Sequence, residues 1–144
     1  MNKRMILRIL GIILMLEAAF LLLPVLVAVI YRERAGWYYL YTALGCAALG
    51  LVLWRGCRTS LRTIYAREGL VTVAWCWIVL SLAGALPFTL CGDIPYYLDA
   101  VFEMISGFTT TGSSILPNVE LLNHCSLFWR SFSHWIGGMG ILVF

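Results

Sequence analysis

Three stretches, residues 5–30, 37–54 and 69–86, run almost without charge, and this restricts the fold more tightly than any other feature. At about 1.5 Å per helical residue, each is close to or beyond the roughly 30 Å needed to cross a hydrocarbon layer. With 62% hydrophobic and 12% charged side chains, the chain lies outside soluble proteins, where about a quarter of residues are charged. Lipid is the expected solvent, and it requires every backbone polar group to be satisfied internally. Unbroken Leu, Ile, Val and Ala do this as helices. A membrane barrel would need short alternating segments, which these runs are not. The expected class is an all-α integral membrane protein. Pro24 should kink the first helix or end its regular part early, and Pro87 should end the third. Glu17 lies inside the first run, where a carboxylate is costly and functional by default. An ion-pathway role and a neutral or interhelically hydrogen-bonded side chain are equally open to it.

Seven of the ten Lys and Arg residues form two clusters, Lys3-Arg4-Arg8 and Arg55-Arg58-Arg62-Arg67, each beside an apolar run. Two crossings bring both clusters to one side. The positive-inside rule makes that side, and the N-terminus, cytoplasmic, and it accounts for the clusters without a nucleic-acid partner. Anionic lipid is partner enough for the basic loop. After the short polar link at residues 31–36, Trp37, Tyr38, Tyr39 and Tyr41 form a belt suited to headgroup depth. The basic start imitates a signal peptide, but its apolar run is too long and lacks a small-residue cleavage site, so a retained helix is expected.

Cys46, Cys57, Cys76, Cys91 and Cys125 have neither metal nor disulfide spacing and read as small packing residues. His124 and His134 lack a cysteine or carboxylate at ligand spacing and read as surface and packing residues. With no paired nucleophile and base, the chain does not read as an enzyme, and no organic cofactor is expected.

After Gly92, Asp93 and Pro95 the pattern changes. Residues 94–108 are moderately apolar and too short to cross, which suits a re-entrant helix. Thr109, Thr110, Thr111, Gly112, Ser113 and Ser114 follow, and non-helical backbone at membrane depth is tolerated only if buried or lining a water-filled path. Backbone carbonyls replace a cation's hydration shell when successive residues share an unusual extended conformation. Gly112 can adopt angles closed to other residues. The preceding helix would aim its negative dipole end at the ion. By residue type alone, the same run is also an ordinary polar turn.

Glu103 and Asp99, four apart, share a helix face. Either could hold the turn from behind or merely solvate a short helix. Arg130 opens the next apolar segment, residues 127–144, either snorkelling to headgroups or bracing the turn electrostatically. Gly137, Gly138 and Gly140 are costly in a helix unless backbones approach closely, and packing against the turn is the expected reason. Conduction by these glycines themselves is the alternative. The chain ends inside an apolar element, which reads as a piece of a longer protein.

Ala100-Val101-Phe102-Glu103-Met104-Ile105-Ser106-Gly107-Phe108-Thr109-Thr110-Thr111-Gly112-Ser113-Ser114-Ile115-Leu116, with Phe128-Trp129-Arg130-Ser131 and His134-Trp135-Ile136-Gly137-Gly138-Met139-Gly140-Ile141, resembles the first pore repeat of bacterial Trk-type potassium uptake proteins. The related Ktr-type subunits more often carry asparagines before the glycine, so the threonines favour the Trk branch. The resemblance implies a leading helix pair, 1–60, and an incomplete first pore repeat, 61–144, of a four-repeat pore in the bacterial inner membrane. It implies that the carbonyls of Thr110, Thr111, Gly112 and Ser113 bind the transported K+, with Thr109 and Ser114 at the filter edges. Glu103, Arg130, Gly137, Gly138 and Gly140 are the expected supports. A homodimer and a cytoplasmic nucleotide-binding regulatory subunit are further implications. The rival readings are a complete small cation-channel subunit that tetramerises, a Ktr-type subunit, and a membrane enzyme or structural protein in which the turn is incidental.

Overall fold

A computed structural model describes residues 3–58, 63 and 65–143, the side chains of Ile141 and Val143 excepted. Arg62, Phe144 and the expected division between residues 60 and 61 lie outside the described residues. The described chain is all-helical: α1 (Lys3–Tyr31), α2 (Gly36–Gly56), α3 (Ala66–Cys91), α4 (Tyr97–Phe108), a 3-10 turn (Val119–Leu121) and α5 (His124–Val143). Helices α1, α2 and α3 are long and apolar enough to cross a membrane, as expected. At 12 residues, α4 is only about 18 Å long and cannot cross.

Helices α1 and α2 form a tight hairpin. A Cβ on Gly11 would lie 2.8 Å from the Gly50 carbonyl oxygen, and one on Gly50 would lie 2.6 Å from that of Gly11. In lipid, helices gain little from burying apolar surface, so this backbone contact carries much of the association.

Both prolines sit inside helices that continue past them. Pro24 does not end α1, and Pro87 does not end α3, which runs on to Cys91 and stops at Gly92 with φ +82°. Pro87 removes the donor to the Ala83 carbonyl, and neighbouring segments supply polar contacts on either side of the gap. Tyr97 Oη donates to the Leu82 carbonyl at 2.7 Å, and Trp129 Nε1 donates to that of Gly84 at 3.1 Å. Both contacts brace the backbone beside the gap, and proline inside a membrane helix is tolerated where neighbouring segments supply such contacts.

Helix α5 starts at His124, three residues before the expected start of its apolar run. The cause is remote in sequence: Glu33, in the α1–α2 link, accepts the backbone N–H of His124 at 2.8 Å and of Cys125 at 3.1 Å. These are donors that a helix start leaves free, and a carboxylate there is also favoured by the helix dipole. Desolvation alone would raise the Glu33 carboxyl, but the hydrogen bonds from His124 and Cys125 outweigh it and hold the group below its ordinary 4.5.

A carboxyl depressed by folding adds stability that is complete above its unfolded value and is lost as pH falls through the lower folded one. Thermal melts of the full-length protein are therefore expected to lose this contribution only below about pH 4.5. Replacing Glu33 by Gln should flatten that acid limb. An identical limb in Glu33→Gln would remove Glu33 as its source.

The core draws on all five helices: Leu21 of α1, Tyr39 of α2, Phe88 of α3, Met104 and Phe108 of α4, and Trp129 of α5 are all fully buried. Glu17 is buried among them, with Oε1 3.1 Å from where a Gly84 Cβ would stand. Its carboxylate oxygens have no hydrogen-bond partner among the described residues. The interhelical hydrogen bond, one of the roles open to Glu17, is thus not formed among the described residues.

Candidate ion-coordinating turn

Helix α4 ends at Phe108, and the chain then folds back on its last turn. Ile105 O accepts Thr109 N at 2.9 Å, Gly107 O accepts Thr110 N at 3.0 Å, and Ser106 O accepts Thr111 N at 2.9 Å and Gly112 N at 3.5 Å. In a planar trans peptide the carbonyl points opposite to the following N–H. Turning these donors onto α4 therefore turns the carbonyls of Thr109, Thr110 and Thr111 away from it.

The backbone angles agree. Thr109 has φ −84°, Thr110 +57°, Gly112 +77°, and Thr111 and Ser113 lie on the negative side. The sign of φ alternates residue by residue from Thr109 to Ser113, so successive peptide groups leave the helical path of α4. A β-branched residue such as Thr110 at positive φ is an outlier costing on the order of 1–3 kcal/mol, the kind of strain that gathers at functional sites. At Gly112 the requirement is conformational, because a Cβ there would meet nothing within 4 Å in this chain.

Side chains sort the oxygens further. Thr110 Oγ1 donates to Thr109 O at 2.7 Å, and Ser106 Oγ donates to Ser113 O at 2.5 Å. Of the four carbonyls expected to bind an ion, Ser113 thus already accepts a protein hydroxyl and retains one open lone pair. Thr110, Thr111 and Gly112 are the members with no such hydroxyl on their carbonyls among the described hydrogen bonds. Thr109 closes the helix, its hydroxyl donating to Ile105 O at 2.7 Å and lying 2.8 Å from that of Thr111. All six turn residues are exposed in this chain. The sequence reading missed Ser106, whose signal was a hydroxyl within an apolar helix face.

The supports mostly meet. Glu103 is 1% exposed, receives Ser114 Oγ on both oxygens at 3.0 and 3.1 Å, and takes Ile115 N at 3.2 Å. Arg130 Nε donates to Glu103 Oε1. The snorkelling reading of Arg130 is therefore corrected: its guanidinium turns inward because a buried carboxylate waits there. Asp99, in the first turn of α4, is half-buried, and none of the hydrogen bonds described for the turn involves it.

A Cβ on Gly137 would fall on the Phe108 carbonyl oxygen and lie 2.6 Å from its carbonyl carbon, while one on Gly138 would reach Thr110 Cγ2 only at 3.9 Å. Gly140 departs from expectation, since it faces Trp77 of α3 at 3.0 Å instead of the turn. Gly137 is about 20 Å along α5 from His124, so the turn lies deep beside that helix. Trp77, near the middle of α3, meets the Phe108 ring in a tilted contact with centroids 6.0 Å apart and marks the same depth.

Among the described residues no group of three His, Cys, Asp or Glu forms a metal site. His124 stacks on Tyr31 at 4.1 Å and bonds Glu33, and His134 Nδ1 lies 2.8 Å from Arg130 O. The chemistry open to the turn is weak coordination of a cation by neutral oxygens, close to the negative end of the α4 dipole.

A family model described as TrkH, cation transport protein, matches residues 40–144. An uncharacterized cation transporter of Methanocaldococcus jannaschii is 42% identical over 138 residues, 96% of this chain and 29% of that protein. The Trk system potassium uptake protein TrkH of Salmonella typhimurium is 40% identical over 144 residues, 99% of this chain and 30% of that protein. The crystal structure of the potassium transporter TrkH from Vibrio parahaemolyticus matches with a TM-score of 0.93 at 37% identity, covering 99% of this chain and 31% of that one. The chain thus spans about 30% of the length of the curated relatives it matches.

Proposed function

We propose that this chain, which belongs to the TrkH family of cation transport proteins, supplies one of four carbonyl-lined turns through which a longer protein takes up potassium. The observation that carries this reading is the return of the N–H groups of Thr109, Thr110, Thr111 and Gly112 onto α4, together with the alternating φ of residues 109–113. Together these leave the oxygens of Thr110, Thr111 and Gly112, and one lone pair of Ser113, for an ion. A dehydrating K+ exchanges water for such oxygens, and the α4 dipole lowers the cost of the remaining charge. The membrane potential supplies about 2.3 kcal/mol per 100 mV for inward movement of each charge.

In this reading residues 1–60 are a leading helix pair and 61–144 the first of four pore repeats. The basic ends of α1 and α2 face the cytoplasm of a bacterial inner membrane. The resemblance to Trk-type proteins supports a homodimer and a cytoplasmic nucleotide-binding regulatory subunit. The relatives run to about three times the length of this chain, which weighs against a small tetramerising subunit. No covalent step and no organic cofactor enter this function.

The test is Gly112→Asp in the full-length protein, expressed in cells deficient in potassium uptake. It is expected to abolish uptake with membrane insertion intact, because a carboxylate would trap the cation and its Cβ would demand a strained φ. Undiminished uptake would take Gly112 out of the filter.

A further inference from the structure

At the bundle end away from the basic clusters, the first turn of α5 is held by three segments distant in sequence. Glu33, from the α1–α2 link, takes the N–H groups of His124 and Cys125 on its two oxygens and lies 2.8 Å from His124 Nδ1. The His124 ring stacks on Tyr31 with ring planes 3° apart. Tyr39 of α2, fully buried, donates its hydroxyl to Ser126 Oγ at 2.9 Å. Ser126 in turn donates to Asp93 Oδ2 in the α3–α4 link, whose Oδ1 accepts Asn123 Nδ2 at 3.0 Å.

A generic helix cap needs one side-chain acceptor. Here the backbone N–H groups of two residues and the hydroxyl of a third are engaged in consecutive positions, by a carboxylate and a phenol from the helix pair and a second carboxylate from the repeat. That arrangement fixes the rotation of α5 about its axis as well as its start. The same helix carries Arg130 against Glu103 and Gly137 against the Phe108 carbonyl. With side chains at about 5 Å from the axis, a 10° rotation of α5 would move those contacts by about 1 Å. A shift of that size degrades preorganised sites.

We propose that Glu33 and Tyr39 are positioning residues for the ion-coordinating turn. Through them the leading helix pair sets the rotation of α5, and thereby the discrimination of the filter between potassium and sodium. The proposal rests on the potassium-filter reading above and deepens it.

The experiment measures the ratio of K+ to Na+ uptake by the full-length protein, a quantity independent of how much variant reaches the membrane. Glu33→Ala is expected to lower the ratio about tenfold, corresponding to about 1.4 kcal/mol. Glu33→Gln, which keeps one acceptor oxygen, and Tyr39→Phe should each lower it by a smaller factor. Tyr38→Phe, on the exposed face of the same helix, should leave the ratio unchanged.

If Glu33→Ala does not insert, Glu33→Gln and Tyr39→Phe decide the matter. A wild-type ratio in those two variants, with uptake falling only in step with protein amount, reduces the contacts to scaffolding and overturns the proposal. Total loss of uptake by Glu33→Gln at normal membrane abundance overturns it as well, since positioning predicts a graded change. Gly112→Asp is run alongside: if it transports normally the filter reading itself fails, whereas an inactive Gly112→Asp with unaltered ratios in the Glu33 and Tyr39 variants refutes the positioning role alone.

Discussion

Arg130→Ala is expected to destabilise the full-length protein by about 3–5 kcal/mol and to remove potassium uptake, because it leaves the buried Glu103 carboxylate without its cation. Glu103 is 1% exposed and the Arg130 side chain 17%, so water repays little of that loss. The consequence reaches the turn directly. The same carboxylate receives Ser114 Oγ and Ile115 N, and an uncompensated charge would reorganise whatever it holds.

Arg130→Lys is not a conservative control, since an ammonium has no counterpart of the Nε–H through which Arg130 reaches Glu103. The informative control is the double variant Glu103→Gln/Arg130→Met. Replacing a buried pair with neutral groups of similar size is often close to neutral. This double variant is expected to recover most of the melting temperature lost by Arg130→Ala without recovering transport. A melt of Arg130→Ala within about 0.5 kcal/mol of the parent would mean that the pair behaves like a solvated surface bridge, worth little in itself.

The spans were legible because lipid simplifies the reading: an apolar run need only be long enough, and α1, α2 and α3 were. Helix α4 was legible for the converse reason, being too short to cross. By residue type the turn reads equally as an ordinary polar one, and its place directly after a helix too short to cross is what singles it out. What stayed hidden was what lies between elements. Pro87 reads locally as a stop, yet α3 continues to Cys91, with Tyr97 and Trp129 donating to the carbonyls on either side of the one it orphans. The start of α5 depends on Glu33, 91 positions away from His124. Arg130 was ambiguous because a guanidinium near a helix end reaches headgroups or an internal carboxylate with equal ease, and only the facing helix decides. Ser106 showed in sequence only as a hydroxyl within an apolar helix face; its bond to the Ser113 carbonyl follows from the chain folding back on α4.

The three glycines near the end of α5 look interchangeable in sequence, and their alanine variants are expected to behave in three different ways. At Gly137 the added Cβ would coincide with the Phe108 carbonyl group, which is backbone and cannot rotate aside. Either α5 moves out or the last peptide before the turn is displaced. Overpacking of this kind costs about 1–3 kcal/mol, and the displaced peptide feeds directly into Thr109 and Thr110, so loss of uptake should exceed what the melt alone implies. At Gly140 the nearest atoms are 3.0 and 3.2 Å away on the Trp77 ring, and a small tilt of that ring limits the damage. At Gly138 the nearest atom is 3.9 Å away, so alanine fits and its better helix propensity, worth about 1 kcal/mol, should leave the protein as stable or more so. Uptake and melting temperature measured on Gly137→Ala, Gly140→Ala and Gly138→Ala should therefore rank in that order from worst to best. A benign Gly137→Ala would mean that α5 does not press on the end of α4, and the depth inferred for the turn would lose its anchor.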